Sequence, residues 1–239
     1  MVDSAAIAAR LEGVRAAVAR AASRAGRDPS SVRLIAVSKT FSSDLVRAAA
    51  SCGQLDFGEN KVQEAQQKID ATRDLALTWH LIGHLQSNKA RKAGALFDCV
   101  HSIDDSRLLG AIDQAASQAG RTVDVLIQVD LAGEPTKYGV RPDGLMPIID
   151  TANQCRSARL VGLMLLPPAS DDPERARSFF AALRRLRDEL VDRGVPASRL
   201  TELSMGMSQD FEIAVEEGAT MVRVGSAIFG ARSPHAERP

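Results

Sequence analysis

The chain has 239 residues, 45% hydrophobic and 25% charged, with 30 basic residues set against 30 acidic ones. That balance excludes the strongly basic faces that hold nucleic acid or an anionic membrane surface, and no apolar run reaches the roughly 20 residues of a membrane span. Cys52, Cys99 and Cys155 lie far apart without a C-x-x-C pairing, which points to reduced thiols in a cytoplasmic setting rather than a disulfide framework. The N-terminus has no basic region followed by a long apolar one, so a soluble, unprocessed chain is expected.

Residues 3–24 place Ile7, Leu11, Val14 and Val18 at helical spacing, with Ser4 as the expected cap, Gly26 past the end and Pro29 beyond it. After this leading helix, which occupies residues 1–27, short apolar runs alternate with longer helical patterns, as in parallel βαβ units. Strands are expected at 32–38, 55–58, 78–82, 98–101, 123–129, 159–165, 202–204 and 220–224, each followed by room for a helix. Eight such units close a (β/α)8 TIM barrel of about 250 residues, so one domain over residues 1–239 is expected, with a doubly wound open sheet as the rival. The helix after the sixth strand is the clearest: Asp172 caps it, Pro173 takes its first position, Phe179, Leu183, Leu186 and Leu190 form its stripe, and Gly194 ends it.

Chemistry in a barrel of this type sits where strands end and βα loops begin. The first run ends in Lys39, and an amine projecting from an apolar strand into partly dehydrated space is lowered in pKa toward the neutral nucleophile that an aldehyde needs. Taken alone, such a lysine is more often a solvated strand cap. The last two strands continue as Ser204-Met205-Gly206-Met207-Ser208 and as Gly225-Ser226, two neighbouring turns whose exposed amides and hydroxyls suit a phosphate monoester. Arg223 lies two residues before Gly225 and so on the face of that turn.

Several long runs carry a family resemblance: AVSKT at 36–40, FGEN-KVQEA at 57–65, WHLIGHLQSNK at 79–89, HSID at 101–104, LIQVDLAGE-TK-GV at 126–140, GLM at 162–164 and LSMGMSQD to GSAIFGAR at 203–232. Together they resemble the YggS/PROSC family of pyridoxal-phosphate homeostasis proteins, similar in fold to the N-terminal barrel of alanine racemase and so of fold type III. The resemblance implies that Lys39 carries pyridoxal 5′-phosphate as an imine, that Ser204, Met205, Gly206, Gly225 and Ser226 surround the phosphate, and that Arg223 faces the ring nitrogen. It also implies that Asn60 and His84 line the cofactor side of the barrel, although Asn60 also reads as the N-cap of the following helix. Its partners would be the cofactor, apo-enzymes that use it and free amino acids, with the chain a monomer or weak dimer.

One departure falls in the loop after the fifth strand, which reads Gly133-Glu134-Pro135-Thr136-Lys137-Tyr138-Gly139 where the family commonly has Gly-Glu, then Ser-Lys and a small residue. Tyr138 is expected as an exposed loop tyrosine without a catalytic role. Lys137 reads as a solvated lysine or as a transient second acceptor of the aldehyde. His80 and His84 have the i, i+4 spacing of a zinc pair, but Gly83 and the apolar run before it make this a strand and turn with no evident third ligand. The expected function is a cofactor carrier that buffers or delivers pyridoxal phosphate without robust catalysis, with a slow amino-acid racemase as the alternative and a Schiff-base aldolase acting on a sugar phosphate as the third reading.

Overall fold

Helix α1 (Ser4–Arg24) begins where the Asp3 carboxylate accepts the Ala6 amide at 3.0 Å, and the chain turns at Gly26 with a φ of 67°. The cap is therefore Asp3 rather than Ser4, because a side chain one position earlier reaches the third free amide of the helix. The computed structural model describes residues 3–133 and 138–231. Its first half runs β1 (Arg33–Val37), α2 (Ser43–Ser51), β2 (Asp56–Glu59), α3 (Val62–Ala71), β3 (Thr78–Leu81), α4 (Ala90–Leu96), β4 (Cys99–Ile103) and α5 (Ser106–Gln118). The second half runs β5 (Val123–Val129), α6 (Leu145–Gln154), β6 (Ala158–Leu165), α7 (Arg177–Asp192), β7 (Glu202–Ser204), α8 (Phe211–Glu216), β8 (Met221–Val224) and the short α9 (Ser226–Phe229).

Every strand pairs in parallel with its neighbour, and β8 pairs with β1 through Arg33–Met221, Leu34–Val222, Ile35–Arg223 and Ala36–Val224. The sheet is thus a closed barrel, which disposes of the open doubly wound alternative. Strands β5 and β7 have the expected bounds, while β4 extends two residues beyond expectation through a register shift between Val100 and Ile103. A polar segment opened by Asp172 and Pro173 forms a 3-10 turn before α7, whose buried stripe holds Phe180, Leu183 and Leu190. Phe179 and Leu186 are only partly buried, because the 3-10 turn changes the phase at which the helix meets the sheet.

Two apolar regions result. The larger fills the space between strands and helices, with Phe97, Leu109, Ile112, Leu145 and Phe180 fully buried, each contributing on the order of 2 kcal/mol of burial. The smaller, Ile35, Cys99, Leu126, Met164 and Met221, fills the barrel interior. Helix α1 packs outside against α2, α8 and α9, and Arg24 binds Glu212 and Glu216 at 3.0 and 2.8 Å. No helix among the described residues is long and apolar enough to cross a membrane.

Gly162 shows how tightly β6 and β7 meet, since a Cβ there would overlap the Glu202 carbonyl oxygen, a backbone atom that cannot swing aside. Gly162→Ala should therefore lower stability by about 3 kcal/mol in urea denaturation. An unchanged midpoint would mean that the two strands separate freely.

Candidate functional site

At the C-terminal ends of the strands lies a cleft of about 570 Å³, where Lys39, Asn60, His84, Arg223, Gly225 and Ser226 come together. The geometry of barrel closure accounts for the meeting: Ala36 stands beside Val224, so Lys39, just past β1, is brought next to the Gly225-Ser226 turn just past β8. Residues that sequence reasoning missed share the lining, among them Gln128, Met207, Ser208, Gln209 and Asp210. Ser208 was visible only as part of the turn after β7; its hydroxyl accepts the Gly225 amide at 3.2 Å and so ties the two turns together.

Ser204, Met205 and Gly206 do not line the cleft. Ser204 and Met205 are fully buried, and the Ser204 hydroxyl is engaged by His101 Nδ1 at 2.9 Å and by Arg223. A hydroxyl held on two sides inside the barrel is not presented at its mouth, where Ser208, Gly225 and Ser226 line the cleft. Gly206 serves the turn itself, with a φ of +92° and a carbonyl that accepts the Arg223 amide at 3.0 Å; a Cβ there would stand 2.5 Å from that of Ala214.

The turn that carries Lys39 is held from beneath by a second lysine. Lys68 on α3 is 5% exposed, and its ammonium donates to the Ser38 carbonyl at 2.6 Å, to Glu59 Oε1 at 2.6 Å and to Glu64 Oε1 at 2.7 Å. Glu64 Oε1 also accepts the amide of Thr40, a non-glycine residue at φ 69°. The backbone on both sides of Lys39 is thereby tied to one buried ion cluster, which holds Thr40 in a left-handed conformation that is unfavourable by about 1–2 kcal/mol. Only the i, i+4 spacing of Glu64 and Lys68 hinted at this in the sequence. Burial pushes Glu59 up to about 7 against the opposing effect of Lys68 and of the Ser38 hydroxyl, and its Oε2 is buried without a hydrogen-bond partner.

Arg223 is 3% exposed; its NH2 donates to the Leu165 carbonyl at 2.9 Å, and burial lowers it to about 10 against the attraction of Asp210, leaving it cationic at neutral pH. His84 is stacked on Tyr138 with centroids 3.5 Å apart and planes 8° from parallel, and its Nδ1 lies 3.9 Å from Asp104. Tyr138 is exposed as expected, at 56%, but it is also a wall of the cleft, seated by its carbonyl on the Gln128 amide nitrogen at 2.8 Å. Asn60 is no N-cap, since Lys61 occupies that place without a side-chain bond. Gly83 fits beside Asn60 because it has no Cβ, which would collide with the Asn60 carbonyl oxygen. Lys137 lies outside the described residues.

A closed parallel barrel with an amine past its first strand, a buried guanidinium on its last and a Gly/Ser turn beside both defines a class of (β/α)8 proteins whose polar site opens at the C-terminal mouth. Residues 3–233 match the family model described as alanine racemase, N-terminal domain. A pyridoxal phosphate homeostasis protein of Aquifex aeolicus is 41% identical over 223 residues, 93% of this chain and 97% of that one. The structure of PipY of Synechococcus elongatus PCC7942, described as having PLP bound, superposes with a TM-score of 0.83 at 41% identity, over 94% of this chain and 100% of that one. An alanine racemase of Clostridium difficile shares the fold at 14% identity and a TM-score of 0.68, over 86% of this chain and 54% of its own. This chain belongs to the alanine racemase N-terminal domain family and, within it, to the pyridoxal phosphate homeostasis proteins.

The Glu59 carboxyl gives the site a pH signature. The folded protein keeps a proton on Glu59 up to about pH 7 that the unfolded chain releases near 4.5, so the stability this group contributes is largest below 4.5 and is lost as pH rises through 7. Glu59→Gln should flatten the fall in stability between about pH 5 and 8 measured by urea denaturation. A slope as steep as that of the wild type would assign the dependence to another group.

Proposed function

We propose that this chain binds pyridoxal 5′-phosphate at the cleft, with the Lys39 amine joined to its aldehyde, and takes part in intracellular homeostasis of the cofactor by buffering or delivering it. The observation that carries the reading is the meeting of Lys39, Arg223 and the Gly225-Ser226 turn in one cleft. The donor set fits the group: an amine for the aldehyde, a guanidinium that can only donate to a ring nitrogen, and a tight turn of small residues for the phosphate. A Cβ at Gly225 would stand 3.2 Å from the Val37 carbonyl oxygen, so glycine lets the turn lie close against β1 without crowding.

When bound, pyridoxal phosphate supplies an electrophilic carbon and an electron-withdrawing ring. Lys39 would hold the group through its amine, and the ion cluster around Lys68 fixes the turn that bears Lys39. Arg223, cationic at neutral pH, would disfavour protonation of a ring nitrogen it faces and so would weaken carbanion chemistry. Among the described residues the cleft has one phenol, Tyr138, and that ring is more than half exposed and stacked on His84 rather than enclosed as an acid/base group requires. These features favour a carrier over a racemase, with free amino acids and apo-enzymes as the receiving amines.

Protein mixed with pyridoxal phosphate should show a long-wavelength absorbance band that borohydride abolishes, with the reduced adduct on Lys39 by peptide mass spectrometry. Lys39→Ala should lack the band, and Arg223→Ala should keep it while binding the cofactor about tenfold more weakly. The same band in Lys39→Ala would remove Lys39 from the site. Exchange of an amino-acid α-proton with solvent at an appreciable rate would favour the racemase.

A further inference from the structure

Barrel interiors of this type are filled mainly by branched apolar side chains. Through the filling of this one runs a line of polar groups that ends on Arg223 and whose other four members the function above leaves unused. Asp56 Oδ1 lies 3.0 Å from His80 Nε2, His80 Nδ1 lies 3.0 Å from His101 Nε2, and His101 Nδ1 lies 2.9 Å from Ser204 Oγ, which in turn accepts Arg223 NH1. The five residues come from β2, β3, β4, β7 and β8. His80, His101 and Ser204 are fully buried. Asp56, the first residue of β2, reaches solvent at the N-terminal mouth with its side chain 23% exposed, close to Arg33 at 3.9 Å.

The ends of the line give it a direction. A guanidinium can only donate and an ionised carboxylate can only accept. With both imidazoles neutral, a single arrangement satisfies every bond: Arg223 donates to Ser204, the Ser204 hydroxyl to His101 Nδ1, His101 Nε2–H to His80 Nδ1, and His80 Nε2–H to Asp56. A second proton on His80 would reverse His101 and aim two donors at Ser204 Oγ, whose own proton would then lack an acceptor among the described bonds. Burial, then the neighbouring His80 and Arg223, hold His101 well below the usual imidazole range.

The groups facing this line also include the Cys99 thiol. His80, Cys99 and His101 have ligand atoms within 4.8 Å of one another, so a third candidate ligand does exist beside His80, and it is not His84. All four ring nitrogens are already hydrogen-bonded, however, and burial drives the thiol far above its ordinary range and so keeps it protonated. Hydrogen bonding accounts for these groups without a metal ion.

We propose that Asp56, His80, His101 and Ser204 are positioning residues that form a one-directional line from the N-terminal mouth of the barrel and orient the Arg223 guanidinium for the ring of bound pyridoxal phosphate. The role toward the cofactor rests on the function proposed above. Because the one proton of Ser204 is committed to His101, its lone pairs face Arg223. Loss of Asp56 frees the tautomers to exchange, and a Ser204 proton turned toward the guanidinium sets donor against donor.

Histidine NMR of the protein without cofactor tests the line directly. At about pH 8, wild type should show both interior histidines carrying their proton on Nε2, as the hydrogen-bond directions require. In Asp56→Leu, the His101 ring should shift toward mixed tautomers although it does not touch residue 56, and pyridoxal phosphate should bind about three- to tenfold more weakly. Asp56→Asn, whose amide oxygen still accepts from His80, should keep the wild-type His101 signals. Unchanged His101 signals in Asp56→Leu would overturn the line. If Asp56→Leu does not fold, the wild-type spectrum decides, since a His101 protonated on Nδ1 overturns the line. Failure of wild type to bind pyridoxal phosphate, with the tautomers as expected, would instead sink the function proposed above and the role toward the cofactor with it.

Discussion

The register between β1 and β8, in which Ala36 stands beside Val224, decides where the reactive groups of this molecule end up. Residues 39 and 225 are separated by most of the chain, yet closure of the barrel makes them neighbours at one mouth. A shift of that register by one residue would turn alternate side chains from interior to exterior and withdraw Arg223 from the cleft, because side chains on a strand alternate with a period of two. The small residues at the seam keep the register tight: Gly225 lies against Val37, and Gly206 binds the Arg223 amide.

Around this seam the protein places charge where a barrel is ordinarily apolar. Lys68, Glu59 and Glu64 form a cluster beneath the Lys39 turn, while Arg223 sits in the barrel under the electrostatic attraction of Asp210. Buried ions cost several kcal/mol each to desolvate, and such pairs often add nothing to net stability relative to apolar replacements. The physical return here is geometric. The cluster holds the backbone on either side of Lys39, including the left-handed Thr40, and Ser204 with the Leu165 carbonyl holds the guanidinium. A cleft whose donors are held this way loses less conformational entropy when a ligand binds.

Much of the barrel was legible because its signals are local. Apolar runs of strand length, helical stripes such as Ile7, Leu11, Val14 and Val18, and turn residues such as Gly26 and Gly194 report on contacts within a few residues. The same locality explains the small errors: Ser4 and Asp3 are equally good caps in sequence, and the phase of α7 depends on a 3-10 turn that composition does not announce. Within the site, Lys39, Arg223, Gly225 and Ser226 were readable as residues that end strands. That the Ser204 hydroxyl turns to a histidine of β4 was not readable, because a serine at a strand end looks the same in sequence whichever way its hydroxyl faces.

The sequence by itself determined eight strand–helix units, a lysine at the end of the first and a Gly/Ser turn after the last, because each is written in the order and spacing of neighbouring residues. Only the tertiary structure decided that the sheet closes, that Lys68 lies beneath Lys39, that Tyr138 stacks on His84, and that Asp56, His80, His101, Ser204 and Arg223 join into one line. Those relations are contacts between groups tens to more than a hundred residues apart. Such contacts are set by how strands tilt and close around a common interior, and no local pattern of residues encodes them.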